Sequence, residues 1–280
     1  MGVDFGRVEL SPIWAGQNET DDILMSATAN GEPNSIEIIP ISGIPVIQPG
    51  DDLAALIHSA CEASNLDLKN GALVVCQKII SKAEGRIVAL SSVTPSAEAI
   101  EIAEEHGKDA RQVEVVLGES VRIVRRGHGV LICETKHGLV CANAGVDLSN
   151  APGEDMAVLL PEDSDKSARR LMHGLADLGH TPLAIVVSDT FGRPWRNGLV
   201  DVAIGSAGIA PIDDVRGRVD LEGRELQVTT MATVDQLAAA AGLWMQKDSA
   251  IPAVFIRGVH VRGDGSLTDL LRDSKEDLFR

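Results

Sequence analysis

Two apolar runs, Ala72-Leu73-Val74-Val75-Cys76 and Leu183-Ala184-Ile185-Val186-Val187, constrain the fold of this chain more than any other feature. Each has the length of a strand and neither alternates with polar residues, so both read as short buried strands. Each also hands over at once to dense polar chemistry. The first runs into Gln77-Lys78-Ile79-Ile80-Ser81-Lys82, with Arg86 behind Gly85. The second runs into Ser188-Asp189-Thr190-Phe191-Gly192-Arg193-Pro194-Trp195-Arg196-Asn197-Gly198. With three Trp, four Phe and no Tyr in 280 residues, a tryptophan between two arginines just past a buried strand is a concentration of scarce residues.

Further elements surround the two runs. Ser35 to Pro40 alternates like a strand, and Ile44 to Gly50 carries two prolines that forbid a regular element. Asp51 and Asp52 open a helix to about Ala63, acids first as the helix dipole favours. Thr94-Pro95 reads as cap and first helical residue of a second helix ending near His106. Val121 to Ala144 reads as a meander of short strands, and Asp163 to Leu178 as an amphipathic helix. Arg216 to Thr230 is expected to form a hairpin turning at Leu221-Glu222-Gly223. An alanine-rich helix over Met231 to Met245 and a strand over Ile251 to Arg257 complete the pattern. Strands and helices mix without strict alternation, which favours an α+β or mixed α/β fold over a doubly wound sheet. Residues 1–34 are polar and carry no sustained period, and are expected to be a flexible extension of a domain over residues 35–280.

Composition closes off several functions. A net charge of -16 argues against a nucleic-acid partner. No apolar run approaches the roughly 20 residues of a membrane span, and the N-terminus lacks a secretory or myristoylation pattern, so a cytoplasmic protein without a membrane partner is expected. Cys61, Cys76, Cys133 and Cys141 contain no C-x-x-C pair and read as small buried hydrophobes. The seven histidines show no zinc-binding spacing.

Three stretches carry the candidate chemistry. In Val74 to Arg86, Lys78 and Lys82 leave a buried strand four residues apart, where cations meet phosphate at a fixed position, although a solvated strand exit has the same spacing. In Ala142 to Asn150, small residues permit a tight turn, after which Asp147, Ser149 and Asn150 present oxygens to a hard cation, or simply close an Asx turn. In the stretch after Val187, Asp189 and Thr190 suit Mg²⁺ or Mn²⁺, while Arg193 and Arg196 suit a carboxylate or phosphate. Two carboxylates with several cations are the ingredients of metal-assisted phosphoryl transfer from a nucleotide. No hydrolytic triad and no G-x-G-x-x-G after a strand competes with that reading.

Taken in order, IPVIQPGDDL, QKIISKAEGR, ETKHGLVCANAGVDLSN, SDTFGRPWRNGLVDVAIGSAG and IPAVFIRG resemble the coenzyme F420-0:L-glutamate ligase family over about Ile36 to Phe279. The resemblance implies an α+β fold of two intimately connected subdomains in an intertwined homodimer. It implies GTP-dependent addition of L-glutamate to F420-0, then γ-linked extension, through an acyl phosphate. By the same resemblance Ile44, Pro45, Val46 and Ile47 line the nucleotide, Lys82 and Asn150 contact it, and Asp147, Asp189 and Thr190 bind one or two Mg²⁺ or Mn²⁺ ions. Potassium is a further cation it brings in. Lys82, Asp189, Arg193 and Arg196 are the expected catalytic groups. Gln77 stands where the mycobacterial pattern has a serine nucleotide contact, and Gln236 where a glutamate is common. The chain ends at Arg280, where the fused mycobacterial protein continues into a reductase domain, so a stand-alone ligase is expected. A nucleotide-dependent ligase acting on another carboxylate, or a non-catalytic GTP- or F420-binding protein, stays open at this level.

Overall fold

In the computed structural model, which describes residues 35–153, 155–259, 263–273 and 275–277, the two apolar runs lie side by side and parallel in one five-stranded sheet. The extension expected at residues 1–34 lies outside the described residues. The chain begins with β1 (Glu37–Pro40), α1 (Leu53–Ala63), β2 (Gly71–Cys76), α2 (Gln77–Ala83) and β3 (Ile87–Ala89). It continues with α3 (Ala97–His106), α4 (Ala110–Gly118), β4 (Ser120–Gly127), β5 (Val130–Thr135), β6 (Val140–Ala142) and β7 (Met156–Val158). It ends with α5 (Ser164–Asp177), β8 (Leu183–Arg193), β9 (Arg196–Ala207), β10 (Ile212–Asp214), β11 (Thr230–Ala232), α6 (Thr233–Ala241) and β12 (Ala253–Arg257).

The main sheet has the order β1-β12-β2-β8-β9, with β2 and β8 parallel and the other pairs antiparallel. Its inner strands are apolar on both faces because both faces are covered. Leu73, Val75, Ile185 and Val187 pack with Ile57 of α1 and Leu171 and Leu175 of α5. The intervening residues Ala72, Val74, Ala184 and Val186 pack with Val234, Leu237 and Ala238 of α6. A second core joins α3 and α4 to the three-stranded sheet β4-β5-β6 through Ile102, Val113, Val116, Leu131 and Cys133. The fold is therefore mixed α/β, with six α-helices among the described residues.

Several boundaries differ from the sequence reading, each for a local reason. The second helix starts at Ala97 rather than Pro95, because Ser96 and not Thr94 is the cap, its side chain accepting the Ala99 N–H. Two short helices, α2 and α4, form where none was expected; α4 is capped by Asp109, whose carboxylate accepts the Arg111 N–H. The largest difference is β8, which runs on to Arg193 and pairs with β9, so the stretch after Val187 is a long β-hairpin and not a loop. The expected hairpin over Arg216 to Thr230 is present as a turn at Asp220 to Gly223 and one bridge, Val219 to Glu225, while its flanks pair as β10 and β11.

A histidine pair ties α1 to the loop after α5. His58 Nδ1 and His180 Nε2 are 2.9 Å apart, and a Glu62 carboxylate oxygen lies 3.6 Å from His58 Nε2. Burial, then the neighbouring His58, holds His180 below its usual pKa of 6.5, with Asp67, Lys69 and Glu62 as smaller influences. The unfolded chain thus binds this proton at a higher pH than the folded protein, and stability falls as pH drops below about 6.5. Thermal melts between about pH 7 and about pH 5 should show this loss, and His180→Gln should flatten part of it. Equal pH slopes in the two proteins would show that the pair plays no such role.

Candidate active site

The site begins where two parallel strands part company. β2 stops at Cys76, paired with Ser188, and the chain turns directly into α2, whereas β8 continues. Asp189 is the first β8 residue beyond that pairing, so its carboxylate emerges at the carboxyl end of the parallel pair, where open α/β sheets commonly place ligands. A register shift against β9 falls between Val187 and Ser188, and such bulges re-aim side chains beside functional sites.

Asp147 reaches the same place by a different device. After β6, Asn143, Ala144 and Gly145 take successive left-handed conformations, with φ of 50°, 52° and 72°. A side chain at Gly145 would stand 2.7 Å from Leu160, so the turn needs a glycine there for space as well as for φ. Two backbone hydrogen bonds with Val158, of 3.0 and 2.9 Å, then fix the Asp147 main chain. Strain of this kind, held by its surroundings, is a feature of functional sites. The Asp147 carboxylate accepts the Ser149 N–H at 2.7 Å, so the Asx turn that the sequence allowed is present. It also accepts Lys78 Nζ at 2.8 Å and the Ser149 hydroxyl at 3.0 Å.

These elements, with the Ile44 to Ile47 loop, enclose a cavity of about 830 Å³. Its lining brings together Ile44, Pro45, Val46, Ile47, Lys82, Asp147, Asn150, Asp189 and Thr190, all singled out in the sequence. Ile47 is anchored in the core at 2% exposed while Val46 beside it is 74% exposed, so the loop offers an apolar side chain to whatever enters. Three expected residues are not part of the lining. Gln77 is fully buried at the start of α2, its Oε1 accepting the Ser81 hydroxyl at 2.8 Å and its Nε2 unpartnered. Arg193 and Arg196 sit opposite each other at the hairpin tip, where an Arg193 Nη donates to the Asn197 carbonyl at 2.9 Å. Gln236 is exposed on α6 and also stands outside the cavity.

The lining also holds groups that sequence reasoning did not assign. Gln246, Lys247 and Asp248 follow the alanine-rich helix, which ends at Ala241 rather than Met245, and their polar run was the available signal. The Asn150 amide donates to the Lys247 carbonyl at 3.2 Å and so joins two walls of the cavity. Lys78, noted as a strand-exit cation, is the direct partner of Asp147. Asp201 on β9 stands opposite Thr190 and accepts its hydroxyl at 2.7 Å.

Electrostatics separates the roles. Burial raises the Asp147 carboxyl, but hydrogen bonds from Lys78 and Ser149 outweigh it and leave it below the usual range. Asp189 is compensated less well: burial pushes it up to about 7, opposed in part by the Thr190 N–H and then by Lys78, while the charges of Asp147 and Asp201 add smaller upward effects. Burial and then Lys78 lower the Lys82 ammonium, and no carboxylate among the described residues lies within ion-pair distance of it. The two thiols in the lining are held protonated, Cys76 at about 11 and Cys141 at about 12, chiefly by burial, so neither is a ready nucleophile. Among the described residues no group of three or more His, Cys, Asp or Glu gathers as a metal cluster. Two carboxylates and a hydroxyl on one cavity wall are nonetheless the oxygen donors that a hard divalent cation takes, and such an ion would neutralise the Asp189 charge.

The chain is similar to known proteins over most of its length. The family model described as F420-0:Gamma-glutamyl ligase matches residues 43–258. A coenzyme F420:L-glutamate ligase from Methanothermobacter thermautotrophicus is 47% identical over 250 residues, 88% of this chain and 99% of the relative. Proteins of the same name from Methanopyrus kandleri and Archaeoglobus fulgidus are each 42% identical, covering 88% of this chain and 98% and 96% of their own lengths. The protein is thus an enzyme of the ligase class that forms carbon–nitrogen bonds. It belongs to the F420-0:gamma-glutamyl ligase family.

In metal-free protein, a carboxyl raised to about 7 stabilises the fold at acid pH and loses that contribution as pH rises through 7. Asp189→Asn should therefore melt several degrees higher than the unmodified protein at about pH 8 in chelator, and the difference should shrink towards about pH 5. A variant that melts lower at both pH values would refute a poorly compensated buried charge at this position.

Proposed function

We propose that the protein catalyses GTP-dependent addition of L-glutamate to coenzyme F420-0, followed by γ-linked extension. The observation that carries the reading is the convergence of Asp147, Asp189, Thr190 and Lys82 with the Ile44 to Ile47 loop on one cavity. Joining a carboxylate to an amine requires activation of the carboxylate. In the proposed reaction the γ-phosphoryl group of GTP passes to a carboxylate of F420-0, giving an acyl phosphate and GDP. The glutamate amine then attacks the acyl carbon, loses a proton and expels phosphate.

Each site residue has a task in that sequence. Lys82, a cation without a carboxylate partner, stabilises negative charge on the transferring phosphoryl group. The Ile44 to Ile47 loop and Asn150 hold the nucleotide, with Val46 giving it an apolar face. Asp147, Asp189 and Thr190 would hold Mg²⁺ or Mn²⁺. When bound, the ion screens the charges of phosphate and carboxylate as they approach. Lys78 keeps Asp147 ionised and oriented. Charge stabilisation is assigned to Lys82 rather than to Arg193 or Arg196, whose place is the hairpin tip.

We also infer that the enzyme works as a homodimer. Trp195 and Leu199 at the hairpin tip are 78% and 64% exposed, apolar surface that a second copy would cover.

Purified protein incubated with GTP, Mn²⁺, L-glutamate and F420-0 should yield GDP and glutamylated product by mass. Lys82→Ala should lower kcat/KM by about 10²–10³-fold. Asp189→Asn should abolish product formation. GDP without glutamylated F420 would indicate another carboxylate acceptor, and neither product would indicate a binding role. A monomer by light scattering at working concentration would reject the dimer.

A further inference from the structure

Behind the proposed cation site stands a carboxylate that the reaction scheme does not use. Asp201 is 9% exposed and lies on β9 directly across from Thr190. The Thr190 hydroxyl donates to its Oδ1 at 2.7 Å, and this is its only side-chain hydrogen bond among the described residues. No Lys, Arg or His among them lies within ion-pair distance of it. Its other oxygen faces Gly242, where a Cβ would stand 2.9 Å away, so the alanine-rich helix ends on a glycine that makes room for it. A buried carboxylate with one hydrogen bond and no cation costs stability relative to an apolar side chain of similar size. What it does for the fold therefore does not account for it, and what it does to Thr190 remains.

That effect follows from donor and acceptor counting. A hydroxyl has one proton and two lone pairs, and an ionised carboxylate only accepts. The bond to Asp201 commits the single proton of Thr190 away from the cavity. Thr190 lines the cavity and Asp201 does not, so with its proton held by Asp201 the hydroxyl has only lone pairs left to offer a ligand there. We propose that Asp201 is a positioning residue, which holds the Thr190 hydroxyl as a pure lone-pair donor to a divalent cation at Asp147 and Asp189. This rests on the cation site proposed above, and it extends the site to a fourth residue that never touches the ion. Partners of this second kind typically change metal affinity by about 10–100-fold.

The test is Mn²⁺ binding to the full chain without nucleotide, followed by electron paramagnetic resonance or calorimetry. Asp201→Ala should weaken binding by about 10–100-fold. Asp201→Asn, whose carbonyl oxygen still accepts the Thr190 proton, should keep most of the affinity. Because Asp201 acts through Thr190, adding Asp201→Ala to Thr190→Ala should cost nothing further. Should the alanine variant fail to fold, Asp201→Leu, which keeps volume without an acceptor, carries the same expectation. Metal-free Asp201→Asn should melt higher than the unmodified protein, an outcome that a purely structural role would reverse. The inference is overturned if Asp201→Ala and Asp201→Leu bind Mn²⁺ normally, or if the loss persists undiminished in the Thr190→Ala background. Loss of binding in Asp189→Asn with normal binding in Asp201→Ala would sink this inference alone. Normal binding in Asp189→Asn would sink the cation site and the inference together.

Discussion

The site depends on one geometric fact, that two parallel neighbours in a sheet leave it at different points. β2 ends at Cys76 and becomes a helix within one residue, while β8 continues from Ser188 to Arg193. Up to that point both strands are covered on both faces and can carry only apolar residues. Beyond it β8 has lost a neighbour, and polar side chains become tolerable along its free edge. Asp189 and Thr190 occupy the first two positions where this holds. The departing chain supplies the complement, since the first turns of α2 set Lys78 and Lys82 beside the gap that β2 leaves. Anions from the continuing strand and cations from the departing one meet because the same discontinuity produces both.

The second core contributes through a single turn. Nothing in the main sheet fixes Asp147; its position comes from the left-handed run Asn143 to Gly145 and from the bonds to Val158. The cost of that backbone is sustained by packing, with Ala144 and Val146 buried among residues of α3 and α4. A change that loosens this core would move Asp147 relative to Asp189 without touching either residue. The ion pair with Lys78 ties Asp147 directly to α2, which makes it a positional constraint as much as an electrostatic one.

How much of this could be read in the sequence depends on whether the signal was local. Strands β2, β8 and β12 and helices α1 and α5 announce themselves through apolar runs and capping aspartates, and they appear where expected. α2 has seven residues and no side-chain cap, so it looked like a strand exit. The extension of β8 was hidden because Ser-Asp-Thr and the glycines carry turn chemistry, and only pairing with β9 overrides it. Asp147, Asp189, Thr190 and Lys82 drew notice because each follows an apolar strand, but spacing alone left Asp147 equally an Asx turn and Lys82 a solvated strand exit, and their roles came from the family resemblance. Asp201 drew none, since it sits inside the apolar run Leu199 to Ala203 and its partner is fixed by register alone.

Charge balance explains why the cavity should take up ligands of a particular kind. A chain of net charge -16 gains nothing by burying further carboxylates together, yet Asp147, Asp189 and Asp201 bear on one another around this cavity. Among the described residues, Asp147 alone of the three has a cation bonded to it. Lys82, which could have quenched a second, stands apart with its ammonium partly desolvated. A site organised solely for stability would pair these opposite charges. Keeping them separate leaves one place that is too negative and another that is too positive, and no single simple ion relieves both. A divalent cation beside the carboxylates together with an anionic group on Lys82 does, and a metal–nucleotide complex supplies the two at once. The same separation is what phosphoryl transfer needs, because the residue that stabilises the moving phosphoryl group must not already be neutralised by its neighbours.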